Sequence, residues 1–215
     1  AQLTNAAGAS TSGSGTLTVS SDAVVIGTPG APGSAQIVNI SVRTFIGTGD
    51  NSLTLGFVIG GSGQKPLLLR AVGPTLASSY GVGGVLDNPK LTLYDSSSAV
   101  MATNDGWGGS ASLANAFNAL GAFPLPATST DAAMLQSLGA GASYTIAVSG
   151  ANFTTGVALA EIYDANPGAS SRLVNVSARG FSGTDSNVLI LGVIIGGSGT
   201  EKLLVRGIGP TLAQY

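Results

Sequence analysis

From Val38 to Arg43 the chain alternates apolar and polar residues, Val38, Ile40 and Val42 against Asn39, Ser41 and Arg43. That is the period-two pattern of a half-buried strand. GTGDN follows as a turn and SLTLGFVIGG as a second strand. SGQK turns again, and PLLLRAVG is apolar on both faces apart from Arg70. The pattern predicts three antiparallel strands joined as a meander. Further strands are expected at KLTLYD and AVMATND, joined by an SSS turn, and at AAMLQSL, SYTIAVSG and GVALAEIYD. One stretch changes period. In SASLANAFNAL, Leu113, Phe117 and Leu120 fall on one helical face, Ser110 or Ser112 can cap, and the helix should end before Gly121. About eight short strands, many glycine turns and one short helix predict an all-β fold, an antiparallel β-sandwich of jelly-roll or immunoglobulin-like type.

The pattern then repeats. Residues 37–77 return at 173–213 with a constant offset of 136 and no gap, and 24 of the 41 aligned pairs are identical. Several of the other pairs, such as Ile40 with Val176 and Val72 with Ile208, keep a buried strand buried. The period exceeds the roughly 20–50 residues of solenoid repeats, so each unit should be a domain with its own core. We expect a complete sandwich over 36–171 and the first three strands of a second repeat over 172–215. Ahead of them, residues 1–20 read as a terminal hairpin, with a turn at NAAGAS and a strand at TLTVS. Residues 21–35 have the glycine and proline density of a linker.

TNAAGAS and TLTVS resemble the last hairpin of bacterial immunoglobulin-like domains. Residues 36–171 resemble tandem β-sandwich repeat modules of large secreted and surface proteins of environmental bacteria, through VNISVRTFIGTGDN, LLLRAVGPTL, DNPKLTLYD, NDGW and TTGVALAEIYD. LTLYD and GASYTIAVSG resemble, more weakly, bacterial pre-peptidase C-terminal sandwiches. The resemblance implies an extracellular or cell-surface appendage without catalytic activity.

Composition narrows the function. Only 8% of the residues are charged, the net charge is −2, and eight Lys and Arg are scattered along the chain. No basic stripe exists to neutralise a phosphate backbone or an anionic bilayer, so neither nucleic acid nor membrane is an expected partner. Apolar runs such as 132–160 are interrupted before about 18 residues accumulate, so no membrane insertion is expected. With no Cys, a disulfide framework is excluded, but secretion is not.

Candidate chemistry is sparse. The absence of His and Cys removes the commonest general base, the thiolate nucleophile and the usual zinc ligands, and no enzyme is expected. Arg70 and Glu161 are lone charges in apolar strands, and neither can be buried alone, so a structural ion pair is the first reading. Separate partners and a catalytic carboxylate are the alternatives. Arg43 and Arg70 recur as Arg179 and Arg206, which favours architecture over a site used once. GGSG, with Gly60, Gly61 and Gly63, lies between strands with no helix after it and reads as a turn, not a phosphate loop. Asp87, Asp95, Asn104 and Asp105 are weak calcium candidates, and Asx turns explain them without a metal; no other cofactor is expected. Trp107, the sole Trp, is either a stacking surface for a glycan beside Asp105 or a plug over the sandwich end. Sequons at Asn39, Asn152 and Asn175 carry meaning only in a glycosylating host.

Left alone, LILGVIIGG and KLLVRGIG would present bare apolar faces. We therefore expect a non-enzymatic structural module that assembles with copies of itself, head-to-tail, by β-strand addition of the donor-strand type. Residues 172–215 should then lie against a neighbouring chain more than against their own 36–171. The intramolecular alternative packs the two copies on each other. A carbohydrate-binding or adhesin module with its site at Trp107 and Asp105 is the second functional reading.

Overall fold

A computed structural model describes residues 34–184 and 187–214. The expected hairpin at 1–20, and the linker up to residue 33, lie outside them. Ten strands form: β1 (Gln36–Ile46), β2 (Leu53–Gly60), β3 (Gln64–Val72), β4 (Pro89–Tyr94), β5 (Val100–Asn104), β6 (Ala132–Gly139), β7 (Ala142–Gly150), β8 (Gly156–Asp164), β9 (Arg172–Arg179) and β10 (Ile190–Gly196). Every pairing between them is antiparallel. They make two halves, β5-β4-β7-β2-β9 and β6-β3-β8-β1-β10, joined by the single Ile37–Leu173 bridge. The expected all-β antiparallel fold is the observed one.

The core lies between the halves. Leu53, Leu55, Phe57 and Ile59 of β2, with Ile146 and Val148 of β7, meet Ile40 and Val42 of β1, Leu67 and Leu69 of β3, and Ala160 and Ile162 of β8. Apart from Leu173, every buried apolar side chain among the described residues lies between Ala35 and Tyr163. Residues 34–171 thus supply all but one of these buried apolar side chains.

The expected meander does not form. β1, β2 and β3 do not pair with one another: β1 joins β8 and β10, β2 joins β7 and β9, and β3 joins β6 and β8. The connections cross from one half to the other. Alternation in a strand fixes which side faces the core but not which strand lies alongside.

β3 is apolar on both sides because both are covered. Leu67, Leu69 and Ala71 face the sandwich, while Leu68 and Val72 face a second cluster with Leu76, Trp107, Leu113 and Phe117. That cluster is roofed by two helices, α1 (Pro74–Tyr80) and α2 (Ala111–Leu120). α2 is the expected helix, burying Leu113 and Phe117 and ending at Gly121 with φ 67°. That left-handed conformation favours glycine. α1 is a correction to the single helix expected. Its seven residues begin at Pro74 between Gly73 and Gly81, and such a flank reads as turn sequence.

In the second copy, β9 and β10 lie on the open edges of this chain's own β2 and β1, the arrangement of the intramolecular alternative. One element departs from expectation. The expected third strand is irregular through residues 201–208. In the first copy that strand is held between β6 and β8, and no described strand stands in those places beside 201–208. Side chains buried in copy one are bare in copy two. Leu55 and Leu68 are 0% exposed, and their equivalents Leu191 and Leu204 are 38% and 65% exposed.

Candidate functional site

The β3–β8 register sets Arg70 directly opposite Glu161. Both side chains point away from the sandwich core, under the helical roof. Arg70 Nε lies 3.0 Å from Glu161 Oε2, but the approach is too bent for a hydrogen bond. Arg70 Nη1 donates to the Phe123 carbonyl at 2.8 Å, and the guanidinium lies over the rings of Phe117 and Phe123, 4.7 and 4.3 Å from their centroids. Tyr163 donates its hydroxyl to Glu161 Oε1 at 2.7 Å. Burial pushes the Glu161 carboxyl up, outweighing the downward pull of Arg70 and of the Tyr163 hydrogen bond. Burial, with the Glu161 charge behind it, also raises the Tyr163 phenol. The guanidinium is closed in by rings and the carboxylate by its two partners. This is the geometry of a structural pair.

A second buried pair escaped the sequence reading. Lys65 Nζ lies 2.8 Å from Asp164 Oδ2, with both side chains 0% exposed, and also donates to the Asn166 carbonyl at 2.8 Å. The signal was present. Once Arg70 faces Glu161, antiparallel register puts Leu67 opposite Asp164, and Lys65, two residues further, projects on the same side of the strand.

Asp131 was also missed. It is fully buried, and its carboxylate accepts the Gly73 N–H at 2.7 Å and the Thr75 hydroxyl, closing the start of α1. Thr130 and Asp131 simply precede an apolar run, and nothing local links them to residue 73. Asp131→Ala leaves the buried Gly73 N–H and Thr75 hydroxyl without acceptors and should cost about 1–3 kcal/mol in chemical denaturation. An unchanged midpoint would remove Asp131 from the support of α1.

Trp107 and Asp105 do not form one exposed site. Asp105 is exposed, but Trp107 is buried, donating its indole N–H to the Pro126 carbonyl at 3.0 Å and packing against Phe117 at 5.5 Å between centroids. The indole is part of the second core, so it offers no open face for a sugar, and its place is that of the plug.

Two of the weak calcium candidates, Asp95 and Asn104, are engaged in turns. Asp95 Oδ1 accepts the Ser97 N–H at 2.8 Å, the Ser97 hydroxyl at 2.7 Å and the Ala99 N–H at 2.9 Å. These bonds, the Ser97 hydroxyl foremost, hold the Asp95 carboxyl below its usual range. Asn104 Oδ1 accepts from the Gly106 and Ala133 amides at 3.3 and 3.0 Å, tying the β5 end to β6. Asp87 and Asp105 lie exposed. Among the described residues no three Asp, Glu, His or Cys side chains gather as metal donors.

What remains unsatisfied is a surface. Leu191, Ile195, Leu203, Leu204, Val205 and Ile208 are all exposed on the second copy, while their first-copy equivalents Leu55, Ile59, Leu67, Leu68, Leu69 and Val72 are each 0% exposed. Compared with known proteins, the chain matches no family model, no curated protein and no solved structure.

Proposed function

We propose that the protein is a non-enzymatic structural module of an extracellular or cell-surface protein or filament, and that it assembles with copies of itself by adding strands to open sheet edges. One observation carries this reading: strands of one copy extend both halves of the other copy's sandwich. The bare apolar side chains of 191–208 support it further. In the first copy their equivalents are covered by the opposite half and by the helical roof, with β6 and β8 on the edges of β3, so the matching parts of another copy fit them. Such a surface in water is a site of association. The uncharged polar composition and the resemblance to tandem surface modules agree with an extracellular setting.

Negative-stain electron microscopy and light scattering of the native chain test the proposal. Filaments, or a mass that grows with concentration, are expected. A monodisperse species of 20.9 kDa at all concentrations would overturn the assembly. Saturable binding of the native chain on a glycan array would replace it with the carbohydrate reading.

A further inference from the structure

The contact between the two copies repeats itself with the roles exchanged. Ile40 of β1 pairs with Val193 of β10, and Phe57 of β2 pairs with Val176 of β9. By the offset of 136, Val193 is the equivalent of Phe57 and Val176 that of Ile40. The same holds along both ladders. Gln36 faces Gly196 and Gly60 faces Arg172; Arg43 faces Ile190 and Thr54 faces Arg179.

The irregularities repeat as well. One ladder skips Val38 and the other skips its equivalent Val174. Each bulged valine fills the space opposite a glycine: a Cβ added at Gly196 would come within 2.7 Å of Val38 Cγ1, and one at Gly60 within 2.7 Å of Val174 Cγ1. Ser34 bridges Ser198, and Ser170 Oγ donates to the carbonyl of Ser62 at 3.1 Å, again the same pair with the copies exchanged. Two contacts join a residue to its own equivalent. Ile37 bridges Leu173, and the Phe45 ring meets the Phe181 ring edge-on at 6.1 Å. Reciprocal contacts, with equivalent residues touching in the middle, are the signature of a two-fold axis and of a self-complementary surface.

We infer that the β1–β2 edge of this module is a two-fold, self-complementary docking surface whose partner is another copy of the same module, β1 pairing with the partner's β2 and β2 with its β1. The intrachain copy is one occupant. Two separate modules of the first-copy sequence carry the same two edges, the same bulge at Val38 and the same room at Gly60, and they pair in the same register. This deepens the assembly reading by naming one contact, and it differs from the head-to-tail expectation at this surface: a two-fold contact closes on itself and does not propagate.

The segment 34–171, which supplies all but one of the buried apolar side chains among the described residues, serves for the test, its folding checked first by a cooperative melt. Light scattering should give twice the mass of one module. Ser41→Cys with Gly56→Cys then reports the register, because Ser41 faces the equivalent of Gly56 across the axis, and Gly56 faces the equivalent of Ser41. Within one module these positions point outward from opposite halves of the sandwich, so a disulfide between them forms only between modules. The natural chain has no Cys to interfere. Oxidation should convert the variant to a covalent dimer on a non-reducing gel. A monomeric module, a dimer that does not cross-link through this pair, or a module without a cooperative melt would each overturn the inference. Filaments of the whole chain bear on the assembly reading alone, so the two can fail separately.

Discussion

Replacing Arg70 with methionine should lower the unfolding free energy by about 3–5 kcal/mol, the usual loss when one member of a buried ion pair is removed. Glu161 would be left buried with only the Tyr163 hydroxyl as partner. Glu161→Leu alone should cost a similar amount, stranding the guanidinium between the rings of Phe117 and Phe123. The double variant should regain most of the loss, since well-packed apolar residues often replace a buried pair at little cost. Adding Tyr163→Phe removes the hydroxyl that the double variant leaves without its acceptor. Urea unfolding of the four variants beside the native chain decides the matter. If the double variant loses the sum of the two singles, each charge is held by something other than its neighbour.

Lys65→Glu should be more damaging still. It breaks the contact with Asp164 and sets a second carboxylate beside it at a fully buried position, so the loss should exceed the ~3–5 kcal/mol of simple pair breaking. Combining it with Asp164→Lys restores opposite charges and should recover a measurable part. A Lys65→Glu chain as stable as the native one in the same urea experiment would show that the pair contributes nothing. The second copy carries Glu201 at this position, in an exposed segment, so the Lys65–Asp164 contact is not common to both copies.

Individual elements were legible because each announces itself locally. The span GVALAEIYD begins and ends where β8 does, and Leu113 and Phe117 lie on the buried face of α2. The Arg70–Glu161 pairing was legible for a different reason, since two lone charges in apolar strands have few other ways to be satisfied. Neighbour relations were not legible. Nothing in the alternation of β1 and β2 tells whether they pair with each other or stand in opposite halves, because side-chain period constrains faces and not edges. Asp131 was hidden because its partners, Gly73 and Thr75, are distant in sequence. Trp107 could be placed by composition only as plug or platform, and the choice rests on Phe117 and Pro126, which fold over it from another part of the chain.

The Val38 bulge and its counterpart at Val174 belong to a contact that consumes a module's β1 and β2 edges together. Each module then has one such bond to give. In a longer row of these repeats, the first would be spoken for by the second and could accept no other at that place. The third would have to turn to the fourth. Repeats joined in this way count by twos, an odd number leaves one module with both edges open, and the doublet, having neither front nor back, gives a rod built from it no direction of its own.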